Sequence, residues 1–287
     1  MNKRLHLKNL VMGEKALMVP GAYSALTAKL VEQSGFPAVY LTGFGTAAHL
    51  LGKPDYGLVT LSEMANTVKT ICQATDIPLI ADGDTGYGNE INVQRTIQEY
   101  ELAGAACIQL EDQVSPKKCG HMNGKQVIPM EDHVRKIKAA VSSRNDSNFL
   151  IMARTDARAV NGLDDALRRA DAYLGAGADI LFIEAPQSIE ELEIIGRTFP
   201  GVPLVANMVE NGKTPNLHIN ELEQLGFKIV VYPVSMLFTA TLAIQEGLQR
   251  LKENGISEPS PSKMVTFQDF TEIVGLSKYQ EWEKNFI

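Results

Sequence analysis

The chain has 287 residues, of which 45% are hydrophobic and 21% charged, as in a folded globular protein and not a disordered one. Its formal net charge of −7 argues against a nucleic-acid-binding surface, which would need a basic patch. The length fits one barrel domain better than two ordinary domains.

Short apolar runs, several of them rich in β-branched residues, recur along the chain and predict eight strands. Runs of this kind are typical of parallel strands that are buried on both faces. The predicted strands are Leu17–Pro20, Ala38–Thr42, Pro78–Asp82, Cys107–Glu111, Leu150–Arg154, Ile180–Glu184, Leu204–Met208 and Ile229–Tyr232.

Amphipathic segments with helical spacing lie between these runs. They are Ala22–Ser34, Leu61–Ala74, Val93–Ala103, Met130–Val141, Leu163–Gly175, Ile189–Thr198 and Met236–Leu251. Four of the connections back to a strand carry a glycine, at Gly35, Gly104, Gly177 and Gly226. We expect these glycines to end their helices in the left-handed conformation.

Eight such units with short returns predict a (β/α)8 barrel over residues 1–255. An open doubly wound sheet is the alternative, but no G-x-G-x-x-G follows the first strand. Residues 256–287 are interpreted as a helical extension, with a hinge at Glu258–Ser262 and a last helix near Phe267–Phe286. We expect this extension to pack on a partner subunit.

The N-terminal sequence MNKRLHLKNL lacks an apolar stretch of signal-peptide length, and no apolar run is long enough to span a bilayer. The cysteines Cys72, Cys107 and Cys119 are odd in number and far apart, so neither a disulfide framework nor a zinc site is indicated. We expect a cytoplasmic protein without membrane or nucleic-acid partners.

Acidic residues follow four of the predicted strands, where barrel enzymes hold their active sites. They are Asp82, Asp84, Glu111, Asp112, Asp156 and Glu184. Carboxylates gathered at one rim would repel one another unless a divalent cation neutralised them, and oxygen ligands favour Mg²⁺ or Mn²⁺. We expect Asp84 as the first direct ligand and Asp82 as the next, with Glu111, Asp112 and Asp55 acting through metal-bound waters.

The loop Lys117-Lys-Cys-Gly-His121 after the fourth strand is the second chemical feature. Its lysines and histidine predict a lowered pKa for Cys119, which could act as a general acid or base. Gly120 and Gly124 would let the loop move. The alternative is an exposed basic loop with an incidental thiol. Asn207 and Thr214 are candidate carboxylate binders, although Asn211-Gly212 between them also suits a turn.

Four motifs together resemble the isocitrate lyase / phosphoenolpyruvate mutase superfamily: Asp82-Gly-Asp-Thr-Gly-Tyr-Gly88, Glu111-Asp-Gln113, Lys117-Lys-Cys-Gly-His121 and Ala153-Arg-Thr-Asp156. The resemblance runs from about Val19 to the C-terminus. It implies a Mg²⁺-dependent barrel, and the oxygen ligands leave Mn²⁺ as the other possible ion. It also implies a homotetramer in which the eighth helix is exchanged between subunits.

The resemblance also implies roles for individual residues. The metal site would comprise Asp55, Asp82, Asp84 and Glu111. The catalytic residues would be Lys118, Cys119, His121 and Arg154. The substrate, a small α-hydroxy or α-oxo acid, would contact Tyr40, Thr42, Gly43, Phe44, Gly120, Arg154, Glu184 and Asn207.

Three activities of the superfamily match the motifs: methylisocitrate lyase, 2,3-dimethylmalate lyase and carboxyvinyl-carboxyphosphonate phosphorylmutase. Methylisocitrate lyases carry an Arg in a Ser-x-x-Arg context after the eighth strand, but this chain has Ser235-Met-Leu-Phe238. A tricarboxylate would lose its charge-assisted pair there, which favours a smaller or more apolar substituent. We expect a carbon–carbon lyase acting on a substituted malate. The phosphorylmutase is the first alternative, and a non-catalytic oxo-acid-binding barrel is the second.

Overall fold

The computed structural model describes residues 2–257 and 264–286, so the predicted hinge at 258–262 lies outside the described residues. The chain divides into two compact units, residues 1–235 and 236–287. The helix after the eighth strand therefore belongs mostly to the second unit. The boundary predicted at residues 255/256 stays a prediction.

Eight parallel strands close into a barrel in the first unit, in the order β1 to β8, with β8 paired to β1. This confirms the predicted (β/α)8 barrel and rules out the open sheet. The strands are β1 (Leu17–Ala22), β2 (Val39–Leu41), β3 (Leu79–Asp82), β4 (Cys107–Glu111), β5 (Leu150–Thr155), β6 (Ile180–Ile183), β7 (Leu204–Asn207) and β8 (Phe227–Tyr232).

The strands read as continuous apolar runs because both of their faces are buried. Alternate side chains such as Val19 and Cys107 fill the inside of the barrel, where Leu7 and Val11 of the first helix join them. Their neighbours, such as Ile108 and Ile151, face the surrounding helices. Side-chain layers inside the barrel thus support the strand ends that carry the polar residues.

The helices of the first unit include all of those predicted there, and four others that were not. The described helices are α1 (Lys3–Met12), α2 (Ala25–Gln33), α3 (Gly43–Leu51), α4 (Leu61–Ala74), α5 (Glu90–Ala103), α6 (Met130–Ser143), α7 (Ala157–Asn161), α8 (Leu163–Gly175), α9 (Ile189–Thr198) and α10 (Ile219–Gln224). The four glycines expected to be left-handed have φ values between 83° and 102°, as predicted.

Two helical glycines differ sharply in the space around them. A Cβ on Gly196 of α9 would lie 1.7 Å from the carbonyl oxygen of Leu225, whereas nothing lies within 4 Å of one on Gly175 of α8. We expect Gly196→Ala to lower the free energy of unfolding by about 3 kcal/mol, because backbone must move. Gly175→Ala should raise it by roughly 0.5–1 kcal/mol. Urea unfolding of both variants checks this, and equal effects would contradict it.

His133 on α6 is fully buried and packs edge-on against Tyr173, with ring centroids 4.6 Å apart. Burial, followed by the charges of Lys136 and Arg169, lowers the pKa of His133 from 6.5 to about 3. The unfolded chain therefore takes up this proton first, so the stabilisation is complete above pH 6.5 and is lost as pH falls towards 3.

From this shift we expect the stability of the fold to fall by about 2 kcal/mol between pH 7 and pH 5 through His133 alone. Urea midpoints at the two pH values should show that His133→Leu lacks this part of the pH dependence. An identical fall in wild type and variant would show that another group is responsible.

The second unit contains α11 (Ser235–Asn254), α12 (Phe267–Ile273) and α13 (Leu276–Lys284). The predicted last helix is thus two helices, separated at Gly275 with a φ of 84°. No side chain of the three helices is buried in the described part of the chain. Apolar side chains are exposed on α11, among them Leu242, Ile244 and Leu248 at 59–62%. None of the described helices has the combined length and apolar character needed to cross a bilayer.

Candidate active site

Polar side chains converge at the carboxyl end of the barrel. Asp82 and Glu111 end β3 and β4, Arg154 is the penultimate residue of β5, and Glu184 follows β6. All four are buried, and Asn207 at the end of β7 is partly buried. The predicted strand-end acids thus lie on one side of one barrel and do not point into solvent.

Asp82 has hydrogen-bond donors on both carboxylate oxygens. Oδ1 accepts from the Asp84 backbone N–H at 3.0 Å and from Gln109 Nε2 at 3.2 Å, and Oδ2 accepts from the Gly43 N–H at 3.2 Å. Tyr40 donates its hydroxyl hydrogen to Gln109 Oε1 at 2.8 Å. Asp82 therefore connects β2, β3 and β4, and it fixes the start of α3.

Thr42, Gly43 and Phe44, for which the resemblance implies substrate contacts, lie at the start of a helix, with Gly43 and Phe44 in the first turn of α3. Thr42 is its N-cap and accepts the Gly45 N–H through Oγ1 at 3.3 Å. A helix N-terminus presents backbone N–H groups and a partial positive charge to an anion. A Cβ on Gly43 would lie 2.7 Å from Asp82 Oδ2, so only glycine fits.

Lys117 is the cation at the centre of the acids, although the resemblance pointed to Lys118. Its buried ammonium lies 2.6 Å from Asp55 Oδ1 and 2.9 Å from Asp84 Oδ1. Lys118 instead donates to the Gly124 carbonyl at 2.9 Å within its own loop. Burial alone would lower the pKa of Lys117, but the surrounding carboxylates together hold it well above its ordinary value.

Asp84 has left-handed backbone geometry, with a φ of 46°. This conformation is energetically unfavourable for residues other than glycine. Burial raises the pKa of Asp84 to about 6, because the attraction of Lys117 is outweighed by desolvation and by the charges of Asp82 and Asp55. A carboxylate held at this cost is typical of a functional position and not of a structural one.

Glu111 is fully buried, and neither of its carboxylate oxygens accepts a hydrogen bond from the described residues. Its nearest cation is Arg154, with Nε 3.4 Å from Oε2. Burial raises the pKa of Glu111 well above its ordinary value. An ionised Glu111 therefore needs a further positive charge or donor at this place.

These carboxylates fit a hard divalent cation of the Mg²⁺ type. Among the described residues no group of three or more Asp, Glu, His or Cys side chains is arranged to enclose a metal. Mg²⁺ is commonly bound through one or two carboxylates and several waters, so a complete protein cage is not required. The unpaired oxygens of Glu111 and the raised pKa of Asp84 identify the positions where positive charge is missing.

Arg154 is held by Asp156 through two hydrogen bonds, Nε to Oδ2 at 2.9 Å and Nη2 to Oδ1 at 3.0 Å. Lys125, also buried, donates to Asp156 Oδ1 at 2.6 Å and to the Gly120 carbonyl. Asp156 is one of the predicted strand-end acids but had no assigned role, and Lys125 was not predicted as a site residue. The pairing of Asp156 with Arg154 could have been inferred from their motif, but no sequence signal singles out Lys125.

Cys119 contradicts the sequence prediction of a lowered pKa. Burial raises the pKa of the thiol, although the backbone N–H of His121 and the charge of Arg154 oppose that effect. The adjacent Lys117 and Lys118 do not counter it, because their ammonium groups contact Asp55, Asp84 and Gly124 instead. The thiol is therefore protonated at neutral pH and is suited to donate a proton.

His121, Gly120 and Asn207 gather around Glu184. His121 Nε2 lies 3.1 Å from Glu184 Oε1 but is not aligned for a straight hydrogen bond. Asn207 Nδ2 donates to both Glu184 oxygens, at 3.2 and 3.3 Å. Burial would raise the pKa of Glu184, but Arg154 and His121 together hold it well below its ordinary value. A Cβ on Gly120 would lie 2.3 Å from Glu184 Oε1.

Asp112 was expected near the metal, but it belongs to a structural network. It accepts hydrogen bonds from Thr155 Oγ1 at 2.7 Å, the Asp156 N–H at 2.9 Å, Arg169 Nη1 at 3.1 Å and the Tyr173 hydroxyl at 2.8 Å. These bonds fix the end of β5 and thereby Arg154. Asp112 thus supports the site indirectly, by fixing Arg154.

Solved structures agree in architecture with the barrel. A crystal structure of 2,3-dimethylmalate lyase, described as a PEP mutase/isocitrate lyase superfamily member, matches with a TM-score of 0.94 and 35% identity, covering 99% of this chain and 95% of that one. A structure of phosphonopyruvate hydrolase in complex with oxalate and Mg²⁺ matches with a TM-score of 0.89 and 30% identity, covering 99% of each chain.

Sequence comparisons identify enzymes as relatives. The chain is 49% identical over 286 residues to 2,3-dimethylmalate lyase of Eubacterium barkeri, covering 100% of this chain and 99% of that protein. It is 46% identical over 281 residues to the chloroplastic carboxyvinyl-carboxyphosphonate phosphorylmutase of Arabidopsis thaliana, covering 96% of this chain and 83% of that protein. The family model described as phosphoenolpyruvate phosphomutase matches residues 7–252. Together with the resemblance of the motifs, which they confirm, these matches show that the chain belongs to the phosphoenolpyruvate phosphomutase family of the isocitrate lyase / PEP mutase superfamily.

Proposed function

We propose that the protein is a Mg²⁺-dependent carbon–carbon lyase that cleaves 2,3-dimethylmalate or a similar substituted malate into an α-oxo acid and a carboxylate. The observation that carries the proposal is the partly buried thiol of Cys119, which lies near Arg154, Glu184 and His121 and whose pKa burial raises. Relatedness to a lyase at 49% identity over the whole chain supports it.

Asp84 and Glu111 would hold the cation, with Asp55 and Asp82 around it. When bound, a divalent cation would polarise the hydroxyl and carboxylate oxygens of the α-hydroxy acid end. The partial positive charge at the start of α3 would attract the carboxylate of that end. Glu184 and Asn207 would border the other end of the substrate, beside Arg154.

Cleavage breaks the bond between C2 and C3 of the malate. The hydroxyl proton passes to a carboxylate of the acidic cluster, and the electrons of that O–H bond become the new carbonyl bond. The C2–C3 electron pair stays on C3, next to its carboxylate, and the Cys119 thiol donates its proton there. With 2,3-dimethylmalate the products are pyruvate and propionate. Solvent then takes the proton from the carboxylate and returns one to Cys119.

The phosphorylmutase is the second candidate, because of the 46% identity to such an enzyme. Transfer of a phosphorus group needs free cationic groups around its oxygens. Here Arg154 and Lys125 pair with Asp156, and Lys117 pairs with Asp55 and Asp84. The cations of the site are thus committed to carboxylates, which favours the lyase.

A panel of substituted malates with Mg²⁺ tests the proposal, with release of pyruvate, glyoxylate or oxalate as the readout. We expect pyruvate from 2,3-dimethylmalate and little from methylisocitrate. A phosphonate-type substrate followed by phosphorus NMR is the matched control. Phosphorus–carbon bond formation there, without malate cleavage, would establish the mutase instead. Metal and oxo-acid binding with no turnover would indicate a binding protein.

We also infer that the protein is a cytoplasmic homo-oligomer, and a tetramer is our proposal. The apolar side chains of α11 support it, since Leu242, Ile244 and Leu248 are about 60% exposed in the single chain. Light scattering of the wild type should give about four times the chain mass of 31.4 kDa. Leu242→Glu with Leu248→Glu should lower this mass, and Lys252→Glu on the same helix should not.

A further inference from the structure

The loop that carries Cys119 contacts a second loop of the barrel. We call residues 113–127 the Cys119 loop and residues 208–218 the β7 loop. The Cys119 loop is closed at its base, where Val114 N–H donates to the Gln126 carbonyl at 2.8 Å. Its tip reaches the β7 loop, where the Lys213 N–H donates to His121 Nδ1 at 3.1 Å and Lys213 Nζ donates to Asn123 Oδ1 at 2.9 Å.

The His121 ring lies between Glu184, which follows β6, and the backbone of Lys213 in the β7 loop. Nδ1 accepts the Lys213 N–H, so any single ring hydrogen is on Nε2, which faces Glu184 Oε1 at 3.1 Å. The chain from Cys119 to His121 is itself a turn, closed by a hydrogen bond of 2.9 Å from the Met122 N–H to the Cys119 carbonyl. A fixed His121 ring therefore limits the positions open to the Cys119 thiol.

The β7 loop is built to receive this ring. Val209–Gly212 forms a turn, closed by a bond of 2.9 Å from the Gly212 N–H to the Val209 carbonyl, with Asn211 at a φ of 57°. A Cβ on Gly212 would lie 2.7 Å from His121 Nδ1 and 2.9 Å from both His121 Cε1 and the Val209 carbonyl oxygen. Gly212 has no positive φ, so the absence of a side chain there serves close approach.

We propose that Gly212 and the Lys213 N–H are positioning residues that hold His121 and, through it, keep the Cys119 loop closed over the site. The two loops then open and close together. The proposal rests on the proposed function only for the role of Cys119 as the proton donor. The contact itself requires neither substrate nor metal.

Alkylation of Cys119 by iodoacetamide, followed by peptide mass spectrometry, measures opening of the loop without any turnover. Cys72 and buried Cys107 in the same chain are internal references. We expect Gly212→Ala to raise the Cys119 rate about tenfold while leaving the Cys72 rate unchanged. Lys213→Ala keeps the backbone N–H to His121 and removes only the bond of Nζ to Asn123, so it should raise the Cys119 rate clearly less than Gly212→Ala does.

A double-mutant cycle separates the contact with His121 from strain within the turn. If His121 is the obstacle, adding Gly212→Ala to His121→Ala should leave the Cys119 rate almost unchanged. The same factor in both backgrounds, or a wild-type rate in Gly212→Ala, would overturn the proposal. If Gly212→Ala alone does not fold, recovery of folding by His121→Ala supports the proposal, and failure to recover contradicts it.

Turnover provides a second readout. Gly212→Ala should lower kcat in the cleavage reaction more than it raises KM, because the thiol and not the metal side of the site is displaced. A protein that lacks lyase activity would leave the alkylation result intact. Failure of the loop proposal and failure of the proposed function are therefore distinguishable.

Discussion

Replacing Cys119 with alanine is expected to lower the rate of malate cleavage by about a thousandfold, in the range that general acid catalysis contributes. The thiol is partly buried and its pKa is raised, so it keeps its proton at neutral pH, and alanine offers no proton at that place. The carboxylates that would hold Mg²⁺ are untouched. Binding of Mg²⁺ and of the oxo-acid product, measured by calorimetry, should therefore stay close to wild type.

Cys72→Ala is the matched control, because Cys72 lies on α4 and contacts none of the site residues described above. Its cleavage rate should equal that of the wild type. Full turnover by Cys119→Ala would remove the thiol from the mechanism, and loss of pyruvate binding in that variant would make Cys119 a binding residue instead.

Replacing Asp84 with asparagine is expected to weaken Mg²⁺ binding by on the order of a hundredfold or more and to abolish cleavage at ordinary Mg²⁺ concentrations. The metal-free variant should be no less stable than the wild type. The reason is that burial raises the pKa of Asp84, so its ionised form opposes folding until a cation arrives. Melting temperatures with and without Mg²⁺ check both parts.

Asp112→Asn serves as the control, because we expect it to lower stability and to leave the response to Mg²⁺ unchanged. Asp112 accepts hydrogen bonds from Thr155, Asp156, Arg169 and Tyr173, so the substitution should cost about 1–3 kcal/mol of stability. The rise in melting temperature on adding Mg²⁺ should persist in this variant. An equal Mg²⁺ response in Asp84→Asn and the wild type would exclude Asp84 as a ligand.

The barrel could be predicted because both faces of its strands are buried, which makes the strands stand out as apolar runs. Each predicted strand lies within two residues of the observed bounds. The short helices were missed for local reasons. Gly43–Leu51 is rich in glycine and follows a strand, so it resembles a loop, while α7 and α10 span only five and six residues.

The acids of the site could be predicted from position, since strand ends in a barrel share one rim. The side-chain directions in the loops could not be predicted, because a loop has no regular period that shows which of its side chains point into the site. Lys117 and Lys118 are adjacent, yet only Lys117 reaches Asp55 and Asp84. The prediction of a lowered pKa for Cys119 was wrong for the same reason, since the charged neighbours of Cys119 in sequence are not the groups that surround its thiol.

Proton NMR of 2,3-dimethylmalate incubated in D₂O with the protein and Mg²⁺ tests the lyase most directly. The expected result is pyruvate and propionate in equal amounts, with one deuterium on the methylene carbon of propionate, and no products after the metal is removed by a chelator. Unchanged 2,3-dimethylmalate in the presence of bound Mg²⁺ would contradict carbon–carbon cleavage as the function of this barrel.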